Sequence, residues 1–490
     1  MKSRTKRFLA LGTAVAMTAS LAACGKSSDT KSTTAAGDAS QSSTTAAAGT
    51  DAGASVDASA SKRSAADITP APETRDIKIG TWYDFYYTSD DDDINDNPDM
   101  ANEDQATEML ASIRNVESKY NVTIHNVNLT YSGTIDSINT SIMAGAPDCD
   151  IYLLDQSFGI PAVLNGYAVA LEDCVADDDD IWSDQNIMTS LKLTGADKTY
   201  MFAPQSGENA ITGMYYLACN MDLINAAGLE NPQDLWDNNE WTWDKFEEYC
   251  LALNKDTDGD GAVDQFALGG RYTNFFIQMV MANGGTIAAS DTEGIDSPAT
   301  IEAMDFFSKL CTVDKVTAFD VENWDPNETN YTAGNIAFWT TAQWIASGNA
   351  DADLPFEIAW VPFPIGPSGN KDTNFTGVVG TTFYMMPVGV EDPCFVYNVF
   401  ETWKNWYNGD TDDRDSDMSW WEDNALTDRN YQYCWEMSKN RNHLEFWDSI
   451  GVDTNYVTGL ITGDLTAAQA AEQYKQLYQD ALTTYFGGSN

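Results

Sequence analysis

Two hydrophobic periods alternate along the chain from about position 73. Thr74 to Trp82 carries Ile77 and Ile79 two apart and reads as a strand. Glu103 to Tyr120 places Met109, Leu110, Ile113, Val116 and Tyr120 on one helical face, and Val122-Thr-Ile opens a second strand. Ala146-Pro147-Asp148 leads into a short apolar run, Asp150-Ile-Tyr-Leu-Leu, which reads as a buried strand ending at Asp155. Further helical periods lie at 242–254, 298–311, 393–407 and 465–485. Such alternation predicts an α/β protein with mainly parallel sheets flanked by helices. No tandem repeat is visible, and past the first segment no apolar run reaches membrane-spanning length, so the body is expected to be soluble.

The first 72 residues obey neither period. Lys2, Arg4, Lys6 and Arg7 precede an uncharged run from Phe8 to Ala23, a secretory signal by length and flanks. It ends in Leu21-Ala22-Ala23-Cys24-Gly25, which resembles the bacterial lipoprotein box. The resemblance implies removal of 1–23 and lipidation of the Cys24 thiol. Two acyl chains, at about 0.8 kcal/mol per buried methylene, anchor stably where one does not. Residues 24–72 are nearly all Ser, Thr, Ala, Gly and Asp; they cannot bury a core and read as a disordered tether with a reach of roughly 40 Å.

Charge narrows the partners. Of 26 basic and 75 acidic residues, eight and five precede position 73, which leaves 18 and 70 in the body. A surface so acidic disfavours nucleic acid and anionic lipid head groups. The seven cysteines after Cys24 are odd in number and widely scattered, so they suggest buried apolar residues rather than a disulfide framework or a zinc site. With only His125 and His443, a histidine-based nucleophilic site has few ways to form, and phosphate-cradling or dinucleotide-binding glycine motifs are absent.

Several landmarks occur in a telling order. Ala146-Pro-Asp-Cys-Asp-Ile-Tyr is followed by Asp197-Lys-Thr-Tyr-Met-Phe-Ala-Pro, Met214-Tyr-Tyr-Leu-Ala-Cys-Asn-Met-Asp-Leu-Ile-Asn-Ala-Ala-Gly-Leu and Trp241-Thr-Trp-Asp-Lys-Phe. Then come Asn283-Gly-Gly, Tyr331-Thr-Ala-Gly-Asn-Ile-Ala-Phe-Trp, Trp344 and Trp360-Val-Pro-Phe-Pro-Ile-Gly-Pro. Over roughly 75–485 the chain resembles the extracellular sugar-binding proteins of ABC importers, the family that includes maltose-binding protein. The resemblance implies a two-lobed periplasmic-binding-protein fold of type II with three crossings, near 211–214, 362–367 and Gly409. Lobe 1 would then comprise 73–213 plus 362–409, and lobe 2 would comprise 214–361 plus 410–490. It further implies a monomeric receptor without a required cofactor, which closes on a carbohydrate and presents it to an ABC permease; the Cys24 anchor and the tether add the outer face of the cytoplasmic membrane of a single-membrane cell, which needs such a leash to keep its receptors.

A sugar offers C–H faces, which aromatic rings cover, and hydroxyls, which carboxylates, amides and guanidinium bind. Trp82, Tyr83 and Asp84 follow the first strand, where loops at strand carboxyl ends face a ligand crevice; the rings could equally pack in the core. Asp155 and Gln156 end the third strand, with helix capping the competing role for Asp155. By the resemblance, Trp344 stacks on sugar and Arg271, Tyr272 and Asn274 supply polar and aromatic contacts. Trp344→Ala is then expected to weaken sugar binding tenfold or more. Glu208 and Asn209, beside the first crossing, are weaker candidates.

One motif stands apart. Asp256, Asp258, Asp260 and Asp264, with Gly261 at the sixth position and the Ala262 carbonyl, follow a calcium-loop spacing, but position 12 is Ala267 instead of Glu. The stretch reads as a hairpin that either holds Ca²⁺ weakly or is a plain polar turn. Two other functions fit the composition: a lipid-anchored glycoside hydrolase, since so many acids guarantee carboxylate pairs, and a surface adhesin without a small ligand.

Overall fold

The computed structural model describes residues 68–486 apart from 84–85, 98–101, 178–181, 183–197, 203–214, 290, 320, 323–327, 343–353, 372–381, 415, 417–424 and 439–444. Cys24, the signal, the tether up to residue 67, Asp84, Glu208, Asn209, Trp344 and the 211–214 crossing lie outside the described residues.

Eight strands are used below: β1 (Arg75–Thr81), β2 (Val122–Asn128), β3 (Ile151–Asp155), β4 (Tyr215–Asn220), β5 (Phe266–Gly270), β6 (Ile336–Ala342), β7 (Ile358–Val361) and β8 (Thr382–Met385). They form two four-stranded sheets, ordered β2-β1-β3-β8 and β5-β6-β4-β7. The helices that matter are α1 (Glu103–Tyr120), α2 (Tyr131–Ser137), α3 (Gln156–Leu164), α4 (Trp243–Leu253), α5 (Tyr272–Ala282), α6 (Pro298–Thr312), α7 (Pro393–Lys404), α8 (Asp428–Ser438), α9 (Asn455–Thr462) and α10 (Ala467–Phe486). The described residues belong to one compact unit that holds both sheets.

The first sheet follows from its pattern. Asn102 caps α1 by accepting from the Gln105 N–H, and the helix stops at Asn121, whose left-handed φ of 54° turns the chain into β2. Met109, Ile113, Val116 and Tyr120, the face read from the period, are buried. β1 pairs in parallel with β2 (Ile77 opposite Ile124) and with β3 (Ile79 opposite Ile151), while β8 closes the edge antiparallel to β3. Ile151 and Leu153 join the core formed with α1 and α7; Tyr152 and Leu154, on the opposite face, join the core that continues under the second sheet.

The expectation of parallel strands describes the first sheet; the second differs. β4 runs antiparallel to both β6 and β7, and only β5 and β6 are parallel. The reason is topological. Helix-strand alternation fixes direction only between strands joined by a crossover helix, and β4 arrives from the first sheet to lie between two strands that come later in the chain.

The chain leaves the first sheet between β3 and β4, returns between β7 and β8, and leaves again after α7. Pro362 to Pro367 lies against the second body, where the Trp243 N–H donates to the Ile365 carbonyl and the Ile365 N–H to that of Trp241. Beyond Gly409, Gln105 of α1 still donates to the Asp413 carbonyl at 2.7 Å.

Cysteine pairing corrects the sequence reading. Cys174 and Cys394, 220 residues apart, form a disulfide with Cα atoms 4.6 Å apart. No spacing rule reveals a bond between such distant positions. Cys149, Cys219, Cys250 and Cys434 are buried free thiols and Cys311 is half-buried, as apolar packing requires. Cys174→Ser is expected to cost about 2–4 kcal/mol, read as a lower urea midpoint that reductant no longer changes.

Candidate functional site

The carboxyl ends of β1 and β2 carry an aromatic wall. Trp82 and Tyr83 follow β1, and Tyr131 opens α2 just after β2. Trp82 stands edge-on to Tyr83, Tyr131 and Phe158 with ring centroids 5.4, 5.5 and 5.7 Å apart. Tyr83 and Tyr131 are 44% and 45% exposed, which leaves ring surface open to a ligand. Trp82 is half-buried and also touches the first core, so it both packs and lines the wall.

Next to this wall β3 runs into α3. Asp155 caps the helix, its Oδ1 accepting from the Ser157 N–H at 2.8 Å, so the competing structural role is real. Gln156 is buried and reaches the second body: its Nε2 donates to the Glu445 carbonyl at 2.8 Å and to Ser449 Oγ at 3.0 Å. Its Oε1 is buried without a protein partner among the described residues.

The second body contributes the opposite side. The Gly270 turn at the end of β5 delivers Arg271 to the head of α5, where it is 6% exposed and faces Tyr215 at the start of β4. Burial raises the Tyr215 hydroxyl well above its ordinary range, and the Arg271 charge opposes that rise. Asn274, one turn into α5, shares a hydrogen bond with Tyr215, and its buried Oδ1 has no protein partner among the described residues. Tyr272 is half-buried, its ring centroid 6.2 Å from that of Phe319.

Asp448 and Ser449 complete the site from a segment no motif announced. Ser449 Oγ donates to Asp448 Oδ1 at 2.9 Å. Asp448 is exposed as a residue although protein surrounds its carboxyl. Burial pushes its carboxyl up to about 6, against the lowering effect of Ser449 and with a further rise from Asp155 across the cleft. Tyr131, also raised chiefly by burial, feels both Asp155 and Asp448, which places aromatic wall and acids in one neighbourhood.

The structure therefore brings together Trp82, Tyr83, Asp155, Gln156, Arg271 and Asn274, and adds Tyr131, Phe158, Tyr215, Asp448 and Ser449. Tyr131 had a signal: it follows β2 as Trp82 follows β1, at the same end of the sheet.

The acidic hairpin lies elsewhere. One oxygen from each of Asp256, Asp258 and Asp260 falls within 4.8 Å of the others. Asp264 turns instead to Thr257, accepting from its N–H at 2.9 Å and its hydroxyl at 2.8 Å. The Ala262 N–H donates to Asp260, and Lys255 pairs with Gln265 across the hairpin.

Known proteins supply the frame. The fold is that of a cyclic α-maltosyl-1,6-maltose binding protein from Arthrobacter globiformis, at a TM-score of 0.56 and 14% identity over 84% of this chain and 99% of the other. An ABC substrate-binding protein from Listeria monocytogenes, solved with cycloalternan, matches at 0.55 and 15% over 84% and 98%. A maltose/maltodextrin-binding domain from Bdellovibrio bacteriovorus, solved with maltotriose, matches at 0.51 and 15% over 83% and 99%. No curated protein matches the sequence. The two bodies are thus the lobes of the periplasmic-binding-protein-like fold. Residues 104–393 match the family described as bacterial extracellular solute-binding protein, and the chain belongs to that family.

Proposed function

We propose that this chain is a lipid-anchored receptor that captures a carbohydrate, an oligosaccharide by the extent of its aromatic wall, and delivers it intact to an ABC permease. One observation carries the reading: the exposed rings of Tyr83 and Tyr131, with half-buried Trp82 between them, stand beside buried polar groups at Gln156, Arg271 and Asn274. The rings match the C–H faces of a sugar. The unpartnered Gln156 Oε1 and Asn274 Oδ1 are acceptors that hydroxyl donors would satisfy, and a buried acceptor without a donor costs about 1–3 kcal/mol. The structural relatives solved with cycloalternan and maltotriose support the same class.

The lipobox-like Leu21-Ala22-Ala23-Cys24 supports anchoring on the outer face of the cytoplasmic membrane. The receptor acts as a monomer and performs no chemistry. Asp448, raised and within the field of Asp155, is a feature a glycosidase would share. A thermal-shift screen over oligosaccharides separates these readings. The receptor gains about 2.7 kcal/mol at a hundredfold excess over Kd, quenches its tryptophan fluorescence and returns the sugar uncut. Cut product would make it a hydrolase, and silence across the panel an adhesin.

The Asp256, Asp258 and Asp260 trio is read as a weak Ca²⁺ site built on the hairpin, with Asp264 serving the turn. Calcium titration calorimetry is expected to show heat in the millimolar range that Asp258→Asn abolishes; no heat at all would remove the site.

A further inference from the structure

The side-chain amide of Gln156 is oriented by partners that cannot be reversed. Its Nε2 donates to the Glu445 carbonyl at 2.8 Å and to Ser449 Oγ at 3.0 Å. A main-chain carbonyl only accepts, and the Ser449 hydroxyl already donates to Asp448 Oδ1 at 2.9 Å. Turning the amide over would set Oε1 against two oxygens, so the network itself sets its polarity. Both amide protons are thus engaged. What remains to Gln156 is Oε1, buried and without a protein donor among the described residues.

The two acceptors are held from behind by Glu445. Its carboxylate is fully buried and receives the Ile287 N–H at 3.0 Å and the Ala288 N–H at 2.5 Å, while the Phe446 N–H donates to the Ala288 carbonyl at 2.8 Å. The Trp447 ring stands 5.7 Å from that of Phe276 on α5, and its carbonyl accepts from the Tyr478 hydroxyl of α10 at 3.0 Å. The Ser449 N–H closes the turn onto the Phe446 carbonyl at 2.9 Å. Three successive residues therefore fix this turn on the second lobe, and it offers a carbonyl and a hydroxyl to the first.

We propose that Gln156 sets the selectivity of the cleft as an obligate acceptor, with Glu445 as its positioning residue. The site takes a carbohydrate that brings a free hydroxyl to Gln156 Oε1 and rejects the same carbohydrate deoxygenated, methylated or acylated at that position. This deepens the carbohydrate-receptor reading and rests on it.

The discrimination follows from donor chemistry. A hydroxyl donates as well as accepts, an ether or ester oxygen only accepts, and a C–H group does neither. Each of the last two leaves Oε1 a buried acceptor without a donor. A site built around such a hydrogen bond rejects the analogue lacking it far more strongly than an apolar pocket rejects a missing methylene. The aromatic wall covers C–H faces and does not tell a hydroxyl from its ether, so the choice falls to the polar side. Glutamine suits position 156 where an acid does not, because a carboxylate has no protons for the Glu445 carbonyl and Ser449.

Two measurements on the full chain test this. In the ligand-free protein, isotopically labelled at glutamine and assigned by the signals lost in Gln156→Met, both amide protons of Gln156 are expected to exchange slowly with water. Ser449→Ala should release one of them. Fast exchange of both in the wild type would overturn the fixed polarity. Maltotriose and its monodeoxy analogues then probe selectivity by calorimetry. One analogue is expected to bind the wild type roughly ten- to a hundredfold more weakly than maltotriose. That loss should fall to about twofold in Gln156→Met, which keeps the length of the side chain and lacks the acceptor. In Glu445→Gln, whose amide cannot accept both N–H groups, the loss should also shrink although Glu445 is engaged by its own lobe; a merely structural role would weaken maltotriose and every analogue alike. Maltotriose binding with no analogue whose loss depends on Gln156 would overturn the proposal, and an unchanged loss in Glu445→Gln would remove Glu445 from the positioning role. No binding of maltotriose at all counts against the carbohydrate reading, and the amide exchange then decides the polarity of Gln156 by itself.

Discussion

Replacing Trp82 and Tyr131 together by alanine is expected to weaken binding of the tightest carbohydrate found in the screen by about a hundredfold. Each ring can bury 150–250 Å² in full, and a sugar face covers roughly a third to a half of that. At about 25 cal/mol per Å² the two losses come to about 2.5–6 kcal/mol; every 1.4 kcal/mol is tenfold, so a hundredfold is the low end of the expectation. Tyr131 is 45% exposed, so its truncation leaves the core intact; Trp82 touches the first core and its loss carries a modest stability cost as well. Tyr131→Phe keeps the ring and gives up only the hydroxyl contact to Ser157 at 3.3 Å, so it should bind within about threefold of wild type. Calorimetry decides the matter: a double-alanine protein that melts cooperatively and binds as before would take the aromatic wall out of the site.

How far the site was legible depends on how each part is encoded. Positions governed by local period and strand ends were readable: α1 occupies the predicted span, β3 ends at Asp155, and Trp82 and Gln156 stand where strand carboxyl ends put them. Tyr131 obeys the same rule and was missed because it lies at a helix start, where a tyrosine carries no motif. Asp448 and Ser449 could not be read at all. Their segment is seated on Ile287 and Ala288 and meets Gln156 nearly three hundred residues earlier, and no sequence period reports contacts of that span. The disulfide fails for the same reason: Cys174 and Cys394 meet through the packing of α7 on the first sheet. Strand direction in the second sheet was lost differently, because the alternation rule is silent about a strand inserted from another lobe.

Gly270→Ala is expected to destabilise the protein by about 2–6 kcal/mol and to weaken ligand binding at least tenfold in whatever fraction folds. Gly270 closes β5 with φ at +91°, a backbone state in which an alanine is strained by about 1–3 kcal/mol. Its Cβ would also stand 2.6 Å from the Thr340 carbonyl oxygen and 2.8 Å from the Thr340 nitrogen, the residue paired with it on β6. Backbone in a paired ladder cannot swing aside as a side chain can, and overpacking of this kind costs a further 1–3 kcal/mol or so. Whatever movement relieves the clash pushes β5 from β6 and carries Arg271 and Asn274 with it, since they follow directly at the head of α5. Their register with Gln156 on the other lobe is then lost, and a displacement of about 1 Å is enough to break a hydrogen-bonded constellation. Gly259→Ala is the control: φ is +80° there too, but no atom lies within 4 Å of the new methyl, so only the backbone term of about 1–3 kcal/mol remains. Urea melts that shift equally for the two variants would show that the ladder at Thr340 yields, and that the tight turn before Arg271 is not what holds the second lobe's polar groups in place.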